Sequence, residues 1–146
     1  MRYATDKQAR TALLTQVNPH ESSFCAVIAT AQATDCSITK AYYTAKKYGR
    51  KDNDGMILER HIAAVSSLGY DCEMIHHVST NGRATVNQII KKLDKEETYL
   101  IYIANSRTAH VMTYREGQIR DWHAETHAGK AIRKGVHSVW RVIKQG

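Results

Sequence analysis

Residues 25–34, CAVIATAQAT, constrain the fold most, because they are apolar on nearly every side of a helix and only Gln32 interrupts them. A helix that is apolar all round is stable only when most of its surface is buried. The segment therefore predicts a short core helix, which Ser22 or Ser23 would cap. The rest of the chain has to supply a core around it.

Amphipathic elements are predicted on the C-terminal side of this segment. Apolar side chains at helical spacing predict two helices, and a run of apolar and β-branched residues predicts a strand after them. A further short helix is expected after the turn at Asn81-Gly82. The four elements cover residues 37–48, 56–67, 69–80 and 85–94.

The pattern changes to strands after Lys95. Four strands are predicted from composition and from the turn at Arg115-Glu116-Gly117, over residues 98–104, 109–114, 118–123 and 136–144. Helices first and an antiparallel sheet afterwards predict the α+β class, with N-terminal helices packed on a C-terminal antiparallel sheet. At 146 residues, the chain is expected to form a single domain, 1–146.

The composition favours a soluble protein with reduced thiols. No segment is apolar enough to span a bilayer, and the start, MRYATDKQAR, lacks the apolar core of a signal peptide. Three cysteines without regular spacing predict neither disulfides nor a structural zinc site. We therefore expect a cytoplasmic protein without a membrane partner, cofactor or metal.

The chain is basic, with a net charge of +7 and an isoelectric point near 9.4. Such a charge is compatible with an acidic partner or with nucleic acid. A solvated surface explains the cations equally well, because most of them lie at expected helix ends and turns. They form three groups: Lys46, Lys47, Arg50 and Lys51; Lys91, Lys92 and Lys95; and Lys130, Arg133 and Lys134.

Two cysteines stand near predicted helix starts. Cys25 would lie in the first turn of the core helix, where free N–H groups and the helix dipole stabilise a thiolate. Cys36 is less well placed, because the carboxylate of Asp35 favours the neutral thiol. If Ser37 caps the next helix, Cys36 lies outside that helix. Cys25 is therefore the better candidate nucleophile.

A thiolate nucleophile needs a base, and the base needs a group that orients it. With a two-residue turn at Glu116-Gly117, Arg115 pairs with Gln118, and His110 and Asp121 become diagonal neighbours on adjacent strands. A loop of odd length would shift this register.

Simpler interpretations remain open at this point. A lone cysteine in an apolar segment is most often a core residue, and His110 and Asp121 could be ordinary strand residues. His123 and His127, four residues apart, could hold a metal together with His137, although their segment resembles a loop. Ser37 and Lys40 match SxxK, but no companion motif accompanies them.

Two longer stretches resemble small papain-like cysteine peptidase domains of phages and bacteria. They are CAVIATAQATDCSITKAYYTAKKYGRKDNDGM and TVNQIIKKLDKEETYLIYIANSRTAHVMTYREGQIRDW, and the terminal VHSVWRV is similar to the closing strand of these domains. The resemblance covers the chain from about residue 20 to the end and leaves 1–19 as an N-terminal extension of unclear role. It implies a papain-like fold and, for a phage-encoded protein, a location in the host cytoplasm.

The resemblance also implies roles for individual residues. It makes Cys25 the nucleophile, His110 the general base and acid, and Asp121 the residue that orients His110. Two positions depart from the family. Phe24 replaces an Asp or Asn before the nucleophile, and Pro19 stands where papain-type enzymes have an oxyanion-hole Gln. Gln16 or Asn18 is the candidate replacement donor.

The leading expectation is a thiol hydrolase, a cysteine peptidase or amidase that cleaves an amide or isopeptide bond in a protein or peptide. An acyltransferase with the same triad is the near alternative. The other alternative is a non-catalytic, phage-type binding protein that uses its basic surface.

Overall fold

The computed structural model describes residues 3–103, 110–120 and 134–146. Its elements follow one another as α1 (Asp6–Gln16), α2 (Cys25–Thr34), α3 (Ile38–Lys47), α4 (Leu58–Ser67), β1 (Tyr70–His77), α5 (Val78–Asn81), α6 (Val86–Ile90), β2 (Thr98–Ile103), β3 (His110–Arg115), β4 (Gln118–Arg120) and β5 (Val136–Lys144). The fold is of the predicted α+β class, with most helices before most strands.

The five strands form one antiparallel sheet in the order β1-β5-β2-β3-β4. The β3–β4 hairpin has the predicted two-residue turn, since Arg115 pairs with Gln118. Both turn residues have positive φ, 54° at Glu116 and 73° at Gly117. Positive φ at both central residues is the geometry that matches the twist of a two-residue hairpin.

The helix α2 lies at the centre of the first of two hydrophobic clusters. Its bounds are those predicted, and every residue from Ala26 to Thr34 is buried. Side chains of α1, α3 and α4 surround it, and β2 and β3 contribute Leu100, Tyr102 and Val111. The surrounding helices and the sheet therefore supply the core that an apolar helix requires.

A second cluster covers the other face of the sheet. Val86 and Ile89 of α6 pack there against Ile101, Met112 and Val139. Alternate residues of β2 and β3 belong to different clusters, as the two-residue period of a strand requires. The sheet therefore separates two apolar layers, with α2 on one side and α6 on the other.

Sequence reasoning assigned no element to residues 1–19, but α1 is part of the main core. Ala9 and Leu13 are buried beside α2, and the side-chain amide of Gln32 donates to Asp6 at 2.8 Å. Thr5 caps α1 through a capping box with Gln8. The role of this segment within the described fold is to close one side of the α2 layer.

None of the helices in the described ranges is long and apolar enough to cross a membrane.

Candidate active site

Cys25 is the first residue of α2, and its side chain is half-buried. The N-cap position is Phe24, with φ −111° and ψ −24°, and no side chain caps this end of the helix. The predicted serine cap is therefore wrong. The Ser22 hydroxyl instead donates to Asn53 at 3.1 Å, and the carbonyl of Ser23 accepts from Arg50 at 2.7 Å.

A buried ion pair between Glu21 and Arg50 binds the backbone of both serines. The side chains of the pair are 0% and 1% exposed, respectively. One carboxylate oxygen of Glu21 also accepts from the backbone N–H groups of Ser22, Ser23 and Asn53, at 3.0, 3.2 and 2.8 Å. The pair therefore fixes the backbone immediately before Cys25.

The missing cap matters for the chemistry of Cys25. The first N–H groups of an α-helix have no partner within the helix, and a cap normally satisfies some of them. The first backbone hydrogen bond of α2 runs from Ile28 N–H to the carbonyl of Phe24, the residue before the helix, at 2.9 Å. The N–H groups of Cys25, Ala26 and Val27 have no partner among the described residues, so they can stabilise negative charge on the sulfur or on a substrate oxygen.

His110 begins β3, and contacts between β3 and α2 fix the relative direction of the two elements. The Thr113 hydroxyl donates to Ala29 C=O at 3.3 Å, and Arg115 donates to Gln32 C=O at 2.8 Å. Residue numbers therefore rise in the same direction along both. His110 lies about 10 Å before Thr113 along the strand, and Cys25 lies about 6 Å before Ala29 along the helix. Both residues lie toward the same end of the α2–β3 contact.

Successive side chains of β3 point to opposite faces of the sheet, which limits how His110 can approach Cys25. Val111 and Thr113 face α2, whereas Met112 and Tyr114 belong to the cluster on the other side. A regular pleat would direct His110 to the side of Met112. His110 pairs with Ile103, which belongs to the second cluster, so its imidazole reaches the α2 side only if this first residue of the strand departs from the pleat.

Asp121, the predicted orienting residue, lies outside the described residues. The register leading up to it agrees with the prediction, because Tyr114 pairs with Ile119 and Thr113 with Arg120. The predicted pairing of Met112 with Asp121 is the next step beyond this range.

Cys36 lies at the opposite end of α2 from Cys25. Ser37 caps α3 by accepting from Lys40 N–H at 3.1 Å, which leaves Cys36 outside that helix. The thiol accepts from the Thr34 hydroxyl at 3.2 Å, and Asp35 forms a bidentate pair with Arg115, at 3.0 and 2.7 Å. This environment explains Cys36 as a helix-junction residue.

The candidate oxyanion donors, Gln16 and Asn18, precede Glu21 in the chain. Gln16 is the exposed last residue of α1. The Asn18 side chain accepts from His20 N–H at 3.0 Å and directs its amide to the Tyr42 hydroxyl at 3.5 Å. Neither has a described contact with Cys25, so their role in an oxyanion hole remains a prediction.

Sequence reasoning missed His61, which is completely buried beneath the start of α2. Its Nδ1 accepts from the Tyr102 hydroxyl at 2.6 Å, and its Nε2 lies 3.0 Å from Ala26 C=O and 2.8 Å from the Thr30 hydroxyl. Burial lowers the pKa of His61 from 6.5 to about 4, so the ring is neutral at pH 7. A neutral ring fits one donating and one accepting nitrogen, and it ties α4 and β2 to the first turn of α2.

The alternative metal site cannot be assembled from the described residues, since His123 and His127 lie outside them. His137 packs edge-on against His77, with ring centroids 4.8 Å apart. Within the described ranges no group of three potential ligands comes together.

Comparisons of the chain with protein-family models, with curated proteins and with solved structures found no significant match.

Proposed function

We propose that the protein is a papain-like thiol hydrolase in which Cys25 attacks an amide or isopeptide carbonyl of a protein or peptide. The observation that carries this proposal is the position of Cys25 as the half-buried first residue of an uncapped core helix. The first-turn N–H groups, which have no partner within the helix, and the helix dipole stabilise a thiolate there. The packing of α2 on an antiparallel sheet supports the papain-like arrangement.

The reaction divides into acylation and deacylation. His110 takes the thiol proton, and the sulfur attacks the carbonyl carbon to form a tetrahedral oxyanion. The first-turn N–H groups of α2 stabilise this oxyanion. His110 then gives its proton to the leaving amine, while Asp121 holds the imidazole in the required orientation.

Deacylation uses the same residues in reverse. His110 accepts a proton from water, the resulting hydroxide attacks the thioester, and the carbon–sulfur bond breaks to release a carboxylic acid. The sulfur recovers its proton from His110. An amine in place of water would complete an acyl transfer.

The buried Glu21–Arg50 pair gives the nucleophile its fixed position. A helix-start thiol is useful only if its backbone does not move during attack, because small displacements from a reactive geometry are costly. The pair holds Ser22 and Ser23 by hydrogen bonds to their backbone, shortly before Cys25.

A generic ester tests the proposal without knowledge of the substrate. p-Nitrophenyl acetate should give a burst of nitrophenol equal to the enzyme concentration, with the acetyl group on Cys25 by mass spectrometry. Cys25→Ala should abolish the burst, and Cys36→Ala and Cys72→Ala should retain it. Asp121→Asn should slow the reaction, as loss of an orienting carboxylate does in other triads.

The fate of the acetyl group separates hydrolase from transferase. With added glycinamide, recovery of free acetate supports hydrolysis, and recovery of acetylglycinamide supports acyl transfer. An unaltered burst in Cys25→Ala, or acetylation spread evenly over the three cysteines, would contradict the proposal.

A further inference from the structure

Beside α6 lies a groove made of two adjoining cavities of about 540 and 560 Å³. The cavities share Arg83, Ala84 and Gln88, so they are continuous. We call this feature the α6 groove. Because α6 packs on the face of the sheet opposite to α2, the groove is separate from Cys25.

The sequence of α6 divides the helix into a buried face and a groove face. Val86 and Ile89 are 0% and 5% exposed and anchor the helix to the sheet. Gln88 lies on another face of α6, and Lys91 and Lys92 follow directly in the turn after the helix. All three line the first cavity, with His76, Asn81 and Arg83 around them.

The positive charge of this first cavity, the cationic end of the groove, is not compensated. Among the described residues, no carboxylate lines either cavity. The side chains of Arg83, Lys91 and Lys92 form no ion pair or hydrogen bond in the part of the chain that the structure describes. By contrast, Arg50 and Arg141 are paired with Glu21 and Glu73. Uncompensated cations attract a bound anion.

Neutral donors accompany the cations. The Asn81 side-chain oxygen accepts from His77 N–H at 2.9 Å, and that of Gln88 accepts from Thr85 N–H at 2.9 Å. Each side chain therefore keeps its NH₂ group for another acceptor. His76 Nε2 is buried without a hydrogen-bond partner among the described residues, and such an atom is normally satisfied by a water or ligand.

The second cavity, the apolar end of the groove, has a different lining. Val78, Ala84 and Val136 provide aliphatic surface there, next to Thr85 and Gly135. Each cavity is within the size range of small-ligand sites, about 300–1,000 Å³. The groove thus offers hydrogen-bond donors and positive charge at one end and apolar contact at the other.

We propose that the α6 groove binds an organic phosphate of nucleotide size, with the phosphate at the cationic end and the organic moiety at the apolar end. A phosphate accepts several charge-assisted hydrogen bonds, which Arg83, Lys91 and Lys92 supply. The ligand is a free nucleotide or the phosphodiester chain of a single strand, since both present this chemistry.

Titration of the ¹⁵N-labelled full-length protein with thymidine 5′-monophosphate, oligothymidylate dT8 and inorganic phosphate tests the proposal. We expect thymidine monophosphate or dT8 to shift the amide signals of Arg83, Gln88, Lys91 and Lys92. Arg83→Gln/Lys92→Gln should weaken binding about a hundredfold or more, since each lost charge-assisted hydrogen bond costs about tenfold or more. The matched control, Lys7→Gln/Lys40→Gln, removes the same charge from exposed positions elsewhere and should change affinity less than about twofold.

The three ligands identify the source of the phosphate and can overturn the proposal. Tighter binding of dT8 than of thymidine monophosphate would identify a strand, and equal binding would identify a free nucleotide. Inorganic phosphate that binds as tightly as thymidine monophosphate would refute a role for the apolar end. Absence of shifts with all three, or equal weakening by the control variant, would refute the site. Neither result depends on the chemistry of Cys25.

Discussion

Arg50 donates hydrogen bonds to both Glu21 and the carbonyl of Ser23, and thereby joins the loop after α3 to the residues that precede Cys25. The pair is almost completely buried, so neither charge can recover its hydration if the other is removed. In the proposed enzyme, this contact fixes the position of the nucleophile, Cys25.

Glu21→Ala should therefore destabilise the fold strongly. The substitution leaves Arg50 as a buried, unpaired charge, for which the cost is about 3–5 kcal/mol of unfolding free energy. Urea unfolding followed by circular dichroism measures the loss. The control is Glu73→Ala, which breaks the more exposed pair with Arg141 and should cost less than about 1 kcal/mol. Equal, small losses in both variants would show that the buried pair has no special role.

The buried ring of His61 predicts a loss of stability in acid. Its pKa falls from 6.5 to about 4 on folding, so the unfolded chain binds more protons between these values. The free energy of unfolding therefore decreases as the pH falls from about 6.5 to 4. The total loss that His61 causes is about 3 kcal/mol.

Urea unfolding at a series of pH values tests this prediction. His61→Gln lacks the titrating group, so it should be less stable at pH 7 but should lose less stability between pH 6.5 and pH 4. His137→Gln, at a half-buried strand position, serves as the control and should keep the steep slope of the unmodified protein. The same slope in all three proteins would contradict the role given to His61.

The β3–β4 turn predicts a preference at Gly117. Its φ of 73° lies in the left-handed region, where an alanine side chain costs about 1–2 kcal/mol. Gly117→Ala should lower the free energy of unfolding by that amount. Gly117→Asn should lower it less, because asparagine tolerates this region better. Equal losses in the two variants would mean that the loss comes from contact of the added Cβ with Lys95, 3.4 Å away, and not from the backbone conformation.

Features that depend on local pattern were predicted well. The bounds of α2 follow from a continuous apolar run, the α3 cap from Ser37, and the hairpin register from a two-residue turn. In each case the residues that decide the structure are neighbours in sequence, so spacing alone identifies them.

Features that depend on distant residues were missed. Glu21 and Arg50 are 29 residues apart, and His61 and Tyr102 are 41 apart, so no local pattern marks them as partners. The serine cap was predicted wrongly for the same reason, since the Ser22 hydroxyl binds Asn53 and the Ser23 carbonyl binds Arg50, both distant in sequence. Buried polar pairs of this kind become visible only when the fold brings them together.

Alkylation of the three cysteines with iodoacetamide, read by mass spectrometry from pH 5 to pH 9, tests the central claim most directly. Cys25 should react well below pH 8. Cys72 should lag, because burial raises the pKa of its thiol. Cys36 should lag as well, at the other end of α2. His110→Ala should abolish the advantage of Cys25, and His137→Ala should leave it unchanged. Slow and equal labelling of all three cysteines in the unmodified protein would contradict the account.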